Sequence, residues 1–311
     1  MKMARPPLND HSFAIGIDVG GTKVAGGLVN LATGQLTHRR ECPTRPERGA
    51  EALLSDVTAM AETIRAAAPE ATAIGLGLAE LVSPEGTVFS GYRIPWNGHD
   101  IAAHLSAILP TTLDSDVRAA ALAEAHHGAG RPFRQFYYVT IGTGVSGTLV
   151  LDGTPFAGSR GAALVIANGT TRTTCPACGT TTTQLLEDVA SGPALAAAAA
   201  RPDAPATLAA ATAGDPRAQQ AIAHATTQLG QTLALLAGAL DPQAIILGGG
   251  LGSAPGPYFD ALSRAIRQSL WDADTRDLPI LRAATGPDAG IIGAALATTH
   301  QKPAHRPHHA T

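Results

Sequence analysis

Lysine is almost missing from this 311-residue chain: Lys2, Lys23 and Lys302 are the only three. Charged residues make up 15%, aromatic residues 4%, and the formal net charge is -3. With no basic block, the chain lacks the broad electrostatic footprint that a phosphate backbone demands, which argues against nucleic acid as a partner. No apolar run is long enough for a bilayer, and no apolar segment separates Lys2 and Arg5 from Asp10, so neither a membrane span nor a signal peptide is expected. Cysteine is scarce and odd in number. Cys42 stands alone, while Cys175 and Cys178 form a C-x-x-C. That set argues against a disulfide framework and points to a reducing cytoplasm.

What is present is apolar mass and glycine. Hydrophobic residues reach 45%, enough for a substantial core, and the chain holds 34 glycines. The apolar run Phe13–Ile17, a turn through Gly20-Gly21-Thr22 and a second run Val24–Val29 read as a hairpin. A similar unit recurs at Phe136–Ile141, Gly142-Thr143-Gly144 and Ser146–Leu151, which suggests a duplicated architecture. Helices are expected at Gly49–Ala67, near Ile101–Ile108, over Asp116–His127 with Gly128 at its left-handed end, up to about Ala239, over Tyr258–Leu270 and from Gly290. Strands are expected at Thr72–Leu78, ending at Asp114, and at Ala244–Leu247. The fold class is α/β with mixed sheets. The expected division is a small N-terminal α/β part over 1–114, a larger C-terminal α/β part over 115–289, a last helix near 290–300 packing back on the first, and a mobile tail at 301–311.

Three glycine turns follow apolar strands: Gly20-Gly21, Gly142-Thr143-Gly144, and Gly248-Gly249-Gly250. Each alone reads more readily as an ordinary turn than as an anion cradle; three on strand ends favour phosphate binding, because glycine lets backbone N–H groups converge on an anion. Gly142–Gly147 matches G-x-G-x-x-G, but a strand rather than a helix is expected next, so the dinucleotide reading is rejected. Lys23 follows Thr22 in no Walker A frame. Asp18, before the first turn, is either a solvated turn aspartate or a holder of Mg²⁺ waters beside Gly20, Gly21, Thr22 and Lys23. Asp116 at a helix start is either a dipole-favoured surface carboxylate or a cleft base for phosphoryl transfer, and the helix N-terminus is expected to keep it ionised.

Taken together, Gly16-Ile-Asp18-Val-Gly20-Gly21-Thr22-Lys23, Asp116 with its following alanines, Gly128-Ala-Gly130, Thr140-Ile-Gly142-Thr143-Gly144, Ala190-Ser191-Gly192-Pro193 and the glycines at 248–250 resemble the ROK family of bacterial sugar kinases and sugar-responsive repressors. The resemblance covers nearly the whole chain. It implies an actin-like (ribonuclease H-like) two-lobed kinase fold, ATP with Mg²⁺ held by the glycine turns including Thr143 and Gly144, a homodimer, and Asp116 as the base that deprotonates a sugar primary hydroxyl. The repressors carry a helix-turn-helix segment ahead of this core; a first strand at Phe13 leaves no room for one.

The departures fall on the sugar side. Ser115 stands where the family has a sugar-binding Asn, Arg93 where a second Asn precedes a Leu-x-Trp-like stretch, and Ala79-Glu80 where a Pro-Gly is usual. The family's Glu-x-Gly-His is here Val165-Ile166-Ala167-Asn168, which removes a sugar carboxylate and a histidine shared with zinc. Of the zinc thiolates only Cys175 and Cys178 remain, so the structural zinc is expected to be lost. Glu187 matches a family glutamate and is expected to keep a hydroxyl contact. Arg93 and Glu80 are candidates for new acceptor contacts. The implied activity is ATP-dependent phosphorylation of a modified hexose or a sugar-derived cyclitol rather than glucose, with an ordinary glucokinase, or a non-catalytic sugar-binding relative, as alternatives.

Overall fold

The computed structural model describes residues 12–96, 98–174 and 177–300. The chain opens with β1 (Phe13–Val19), β2 (Lys23–Asn30), β3 (Leu36–Pro43), α1 (Ala50–Ala67), β4 (Ala71–Leu78), α2 (Ile101–Leu105), β5 (Thr111–Ser115) and α3 (Asp116–His127). It continues through β6 (Gln135–Ile141), β7 (Val145–Leu151), β8 (Thr154–Pro155), β9 (Thr170–Thr174), β10 (Thr181–Leu185), α4 (Glu187–Ala190), α5 (Gly192–Ala199) and α6 (Ala204–Thr212). Last come α7 (Pro216–Leu240), β11 (Ile245–Gly248), α8 (Gly249–Gly252), α9 (Pro257–Ser269), β12 (Ile280–Arg282) and α10 (Ala289–Ala297).

These elements pack into two compact units. The first holds the described residues up to Arg131, Val150–Ala163, and those from Ala284 on; the second holds Pro132–Leu149 and Leu164–Ala283. The first sheet runs β3-β2-β1-β4-β5, with β2 antiparallel to β1 and β4 parallel to it. The second runs β8-β7-β6-β11-β12, the same order of hairpin then parallel strands. The internal duplication expected from the two hairpins is therefore a duplication of sheet topology. Because β7 follows the Gly142 turn directly, the turn feeds a strand and not a dinucleotide-type helix.

In the first unit, α10 is apolar on every side and buried at all nine positions, as a helix enclosed by a sheet and a second helix must be. It crosses α3 so closely that a β-carbon on Gly293 would overlap the Ala119 carbonyl. That crossing holds α3 in the first unit, so the change of unit comes after Arg131 and not after residue 114. At the end of α3, Gly128 is extended (φ -116°) rather than left-handed. Glycine is needed there for space: a β-carbon would strike the Glu124 carboxylate, which accepts hydrogen bonds from the Ala129, Ala284 and Thr285 amides.

In the second unit, α7 lays Leu229 and Leu233 into a core with Tyr137, Val139, Leu247 and Leu262. The glycines at 248–250 straddle the start of α8 instead of forming a free turn. The tail at 301–311 lies outside the described residues. No helix among those described is long and apolar enough to cross a membrane.

Candidate active site

The carboxylates singled out in the first unit converge on one strand end. β1 delivers Asp18, β4 delivers Gly77, and β5 runs into Ser115 and α3, which begins at Asp116. Ser115 is the N-cap, its Oγ accepting from the Arg118 amide at 3.4 Å, so it is occupied by the helix start. A β-carbon placed on Gly77 would stand 3.6 Å from Asp116 Cα and 3.8 Å from Asp18 Oδ1. Gly77 therefore lies in ordinary van der Waals range of both acids, which face it from the two sides of β4. A β-carbon on Gly290, at the first turn of α10, would collide with the Asp18 carboxylate, so Asp18 lies directly against that helix start.

Their electrostatics follow from this crowding. Burial raises the Asp18 pKa from 3.8 to about 6, against the pull of Lys23. Burial, then the charge of Asp18, raise that of Asp116 from 3.8 to about 7; the Val117 amide, 2.7 Å from Asp116 Oδ1, opposes the rise. The expectation that the helix N-terminus keeps Asp116 fully ionised is thus corrected. Desolvation and two neighbouring carboxylates, Asp18 and Glu80, outweigh the Val117 amide and the Arg118 charge, and Asp116 titrates near neutrality. A base poised near pH 7 is better matched to proton transfer than a permanently charged one.

Arg118 braces this helix start. Its guanidinium donates to Asp114 Oδ1 at 2.5 Å, to the Gly161 carbonyl at 2.9 Å and to the Val82 carbonyl at 2.6 Å, all in the first unit and all buried. The sequence carries a signal for this in the four-residue spacing of Asp114, at the end of β5, and Arg118, in the first turn of α3.

The glycine turn at 20–23 is closed by the Gly20 amide on the Lys23 carbonyl at 3.0 Å. Thr44, fully buried, ties it from behind: its amide donates to the Thr22 carbonyl at 3.0 Å and its hydroxyl to the Gly20 carbonyl at 2.7 Å. Lys23 reaches Glu41 at 3.3 Å. Arg93 arches beside this turn, its Cδ 3.9 Å from where a Gly21 β-carbon would sit.

Glu80 requires a correction. It is buried, and its carboxylate accepts from the Ser90 hydroxyl and from three consecutive amides, Tyr92 at 3.0 Å, Arg93 at 2.7 Å and Ile94 at 2.9 Å. Four donors fill the lone pairs of one carboxylate, so Glu80 anchors the 90–94 loop rather than reaching for an acceptor.

In the second unit the Gly142 and Gly250 turns lie side by side, with Gly250 N 3.8 Å from a would-be Gly142 β-carbon. Gly142 N donates to the Gly144 carbonyl at 2.9 Å, and Gly192 N to the Gly142 carbonyl at 2.7 Å. Glu187 Oε2 accepts from Val145 N at 2.9 Å, so this side chain braces the turn carrying Thr143 and Gly144. The three glycines of 248–250 differ. A β-carbon on Gly248 would strike Tyr138 and one on Gly249 the Ile141 carbonyl, but nothing lies within 4 Å of one on Gly250. Packing explains two; open space beside the third is where a ligand has room. Val165 is half-buried and Asn168 exposed on the loop before β9. Cys178 Sγ donates to Thr180 Oγ1 at 3.2 Å. Cys175 lies outside the described residues.

The family profile described as ROK matches residues 14–301. The chain belongs to the ROK family. Its fold is the actin-like α/β fold. An N-acetylmannosamine kinase of Escherichia fergusonii is 30% identical over 302 residues, covering 93% of this chain and 99% of that protein. A ROK hexokinase from Thermus thermophilus is 33% identical with a TM-score of 0.72, over 91% of this chain and 97% of that one. A ROK family glucokinase from Streptomyces griseus, solved with glucose and AMPPNP, is 27% identical with a TM-score of 0.79, over 91% and 98%.

Proposed function

We propose that this ROK protein transfers the γ-phosphoryl group of ATP to a hydroxyl of a hexose-like acceptor. The observation that carries the reading is Asp116, partly buried at the start of α3 beside Asp18 and titrating near pH 7. Asp116 takes the proton of the attacking hydroxyl as the new O–P bond forms; the bond from phosphorus to the bridging oxygen breaks and ADP departs with its electron pair. The transition state is loose, so holding the hydroxyl in line matters more than base strength. Bound Mg²⁺ would neutralise phosphate charge, and Asp18 fits such a cation: a half-buried carboxylate whose pKa is raised by desolvation and opposed by the Lys23 charge. We assign the nucleotide phosphates to Gly20, Gly21, Thr22 and Lys23, and to Thr143, Gly144 and Gly250, with Gly248 and Gly249 shaping the turn by packing. Arg93, beside Gly21, is assigned to the transferring phosphate or the acceptor.

Kinases for N-acetylmannosamine and for glucose both stand among the relatives. Val165 and Asn168 favour the former class, a hexose altered next to its anomeric carbon. In the family, the side chains replaced here hold hydroxyls at that position. Glucose would desolvate those hydroxyls without partners, at about 1–3 kcal/mol each, so two losses lower kcat/KM by about two orders of magnitude. Steady-state kinetics with ATP against glucose, mannose, N-acetylated hexosamines and C7-cyclitols tests this. An N-acetylhexosamine is expected to lead, and glucose turning over best would overturn the assignment.

We also infer that this chain holds no structural zinc, since Asn168 and a lone C-x-x-C leave a tetrahedral site short of two ligands. Metal analysis of protein purified without chelator checks it. About one zinc per chain, lost when Cys175 and Cys178 both become Ser, would contradict it.

A further inference from the structure

A cavity of about 410 Å³ opens in the first unit, away from Asp116, between the edge strand β3 and α1. Arg40 and Cys42 line it from β3, Arg45 and Arg48 from the following loop, and Asp56 and Met60 from α1. Three guanidiniums thus face one carboxylate. Asp56 is engaged by Arg48, and nearby Glu41 is taken by Arg39 at 2.8 Å and Lys23 at 3.3 Å. Among the described residues the Arg45 side chain makes no ion pair or hydrogen bond, and Arg40 meets only the Arg39 carbonyl at 3.1 Å.

Cations on an edge strand guard against sheet-to-sheet pairing, and that explains Arg40. It does not explain Arg45 or Arg48, which lie beyond the strand. Arg45 is held in the left-handed region (φ 48°), which a non-glycine residue adopts at a cost. The loop is fixed around it by the Arg48 amide on the Arg45 carbonyl at 3.1 Å and the Gly49 amide on the Pro46 carbonyl at 3.0 Å. The backbone is thus fixed while the exposed Arg45 guanidinium, without an ion pair, stands at the cavity rim available to an anion.

We propose that this cavity binds a small phosphate monoester and acts on the Gly20–Lys23 turn. Two uncommitted guanidiniums match the charge of such a group, about -1.5 to -2 near pH 7, and their planar forks suit its oxygens. The volume suits a sugar-sized or nucleoside-sized body. The path to the turn is one residue long. Thr44, adjacent to Arg45, holds the Thr22 and Gly20 carbonyls, and Pro43 pairs with Lys23 across β2–β3. A ligand that clamps Arg45 therefore rigidifies the turn assigned above to ATP.

The inference rests on that assignment for its effect on catalysis, so the test avoids turnover. Mannose 6-phosphate, AMP and inorganic phosphate are titrated calorimetrically into the full chain, with mannose as the uncharged control, and hydrogen exchange is followed in segments 19–24 and 42–48. The double variant Arg40→Ser with Arg45→Gly removes both cations while keeping a residue that tolerates the left-handed conformation. At least one ester is expected to bind, to lose tenfold or more in affinity in the variant, and to slow exchange in both segments only in the parent chain. No saturable binding, binding unchanged by the variant, or unchanged exchange in 19–24 would each overturn it. An inactive chain that still binds the ester would sink the kinase reading and leave this one standing.

Discussion

Replacing Asp116 with Asn is expected to lower kcat about 10²–10⁴-fold while leaving ATP affinity within about twofold, because the amide keeps the shape and hydrogen-bond acceptor but cannot take a proton. The same substitution carries a pH signature. In the folded chain Asp116 is protonated up to about pH 7, against 3.8 for the free group. In the unliganded enzyme kcat/KM should therefore rise as pH climbs through about 7, and the variant should lose that limb. Stability moves the other way. A raised carboxyl pKa contributes stability that is complete below pH 3.8 and lost as pH rises through about 7, where the buried group must ionise. The neutral Asn escapes that loss, so the variant should melt higher than the parent above pH 7 and equally at pH 3.8 or below. Full turnover in the variant, or an unchanged pH profile, would remove Asp116 from the mechanism.

Replacing Glu80 with Ala is expected to cost several kcal/mol of stability, at about 1–3 kcal/mol for each buried donor left unsatisfied. The Ser90 hydroxyl and the amides of Tyr92, Arg93 and Ile94 would lose one common acceptor. Denaturant unfolding measures the loss, and hydrogen exchange should accelerate at 90–94. Catalysis should suffer as well, because Arg93 is placed beside Gly21 by this loop. A variant of parental stability with only a raised acceptor KM would instead make Glu80 a direct substrate contact.

The elements that the sequence revealed are those with strong local patterns. Asp116–His127 was legible to the residue because Ser115 caps it and alanine fills it, and β1, β2 and α1 shifted by one or two residues at most. The strands β3 and β12 were not visible: β3 is a polar edge strand without alternation of apolar residues, and β12 is only three residues long. The unit boundary was misplaced because the α3–α10 crossing joins residues more than 150 apart, which no local pattern announces. Asp18 and Asp116 were recognisable by position, but their coupling was not, since it depends on the sheet bringing the ends of β1 and β5 to opposite sides of β4 and on Gly290 leaving room for the Asp18 carboxylate. Glu80 shows the reverse failure. A charged residue in a substituted motif read as a ligand contact, while its partners were backbone amides 12 to 14 residues away.

The most direct measurement is ³¹P NMR of the purified chain mixed with ATP, Mg²⁺ and N-acetylmannosamine, run beside the Asp116→Asn variant. The account predicts growth of a phosphate-monoester resonance split by methylene protons, in step with ADP and without matching inorganic phosphate, and no such growth in the variant. ATP left intact, or ADP and inorganic phosphate released in equal amounts with no sugar ester, would contradict it.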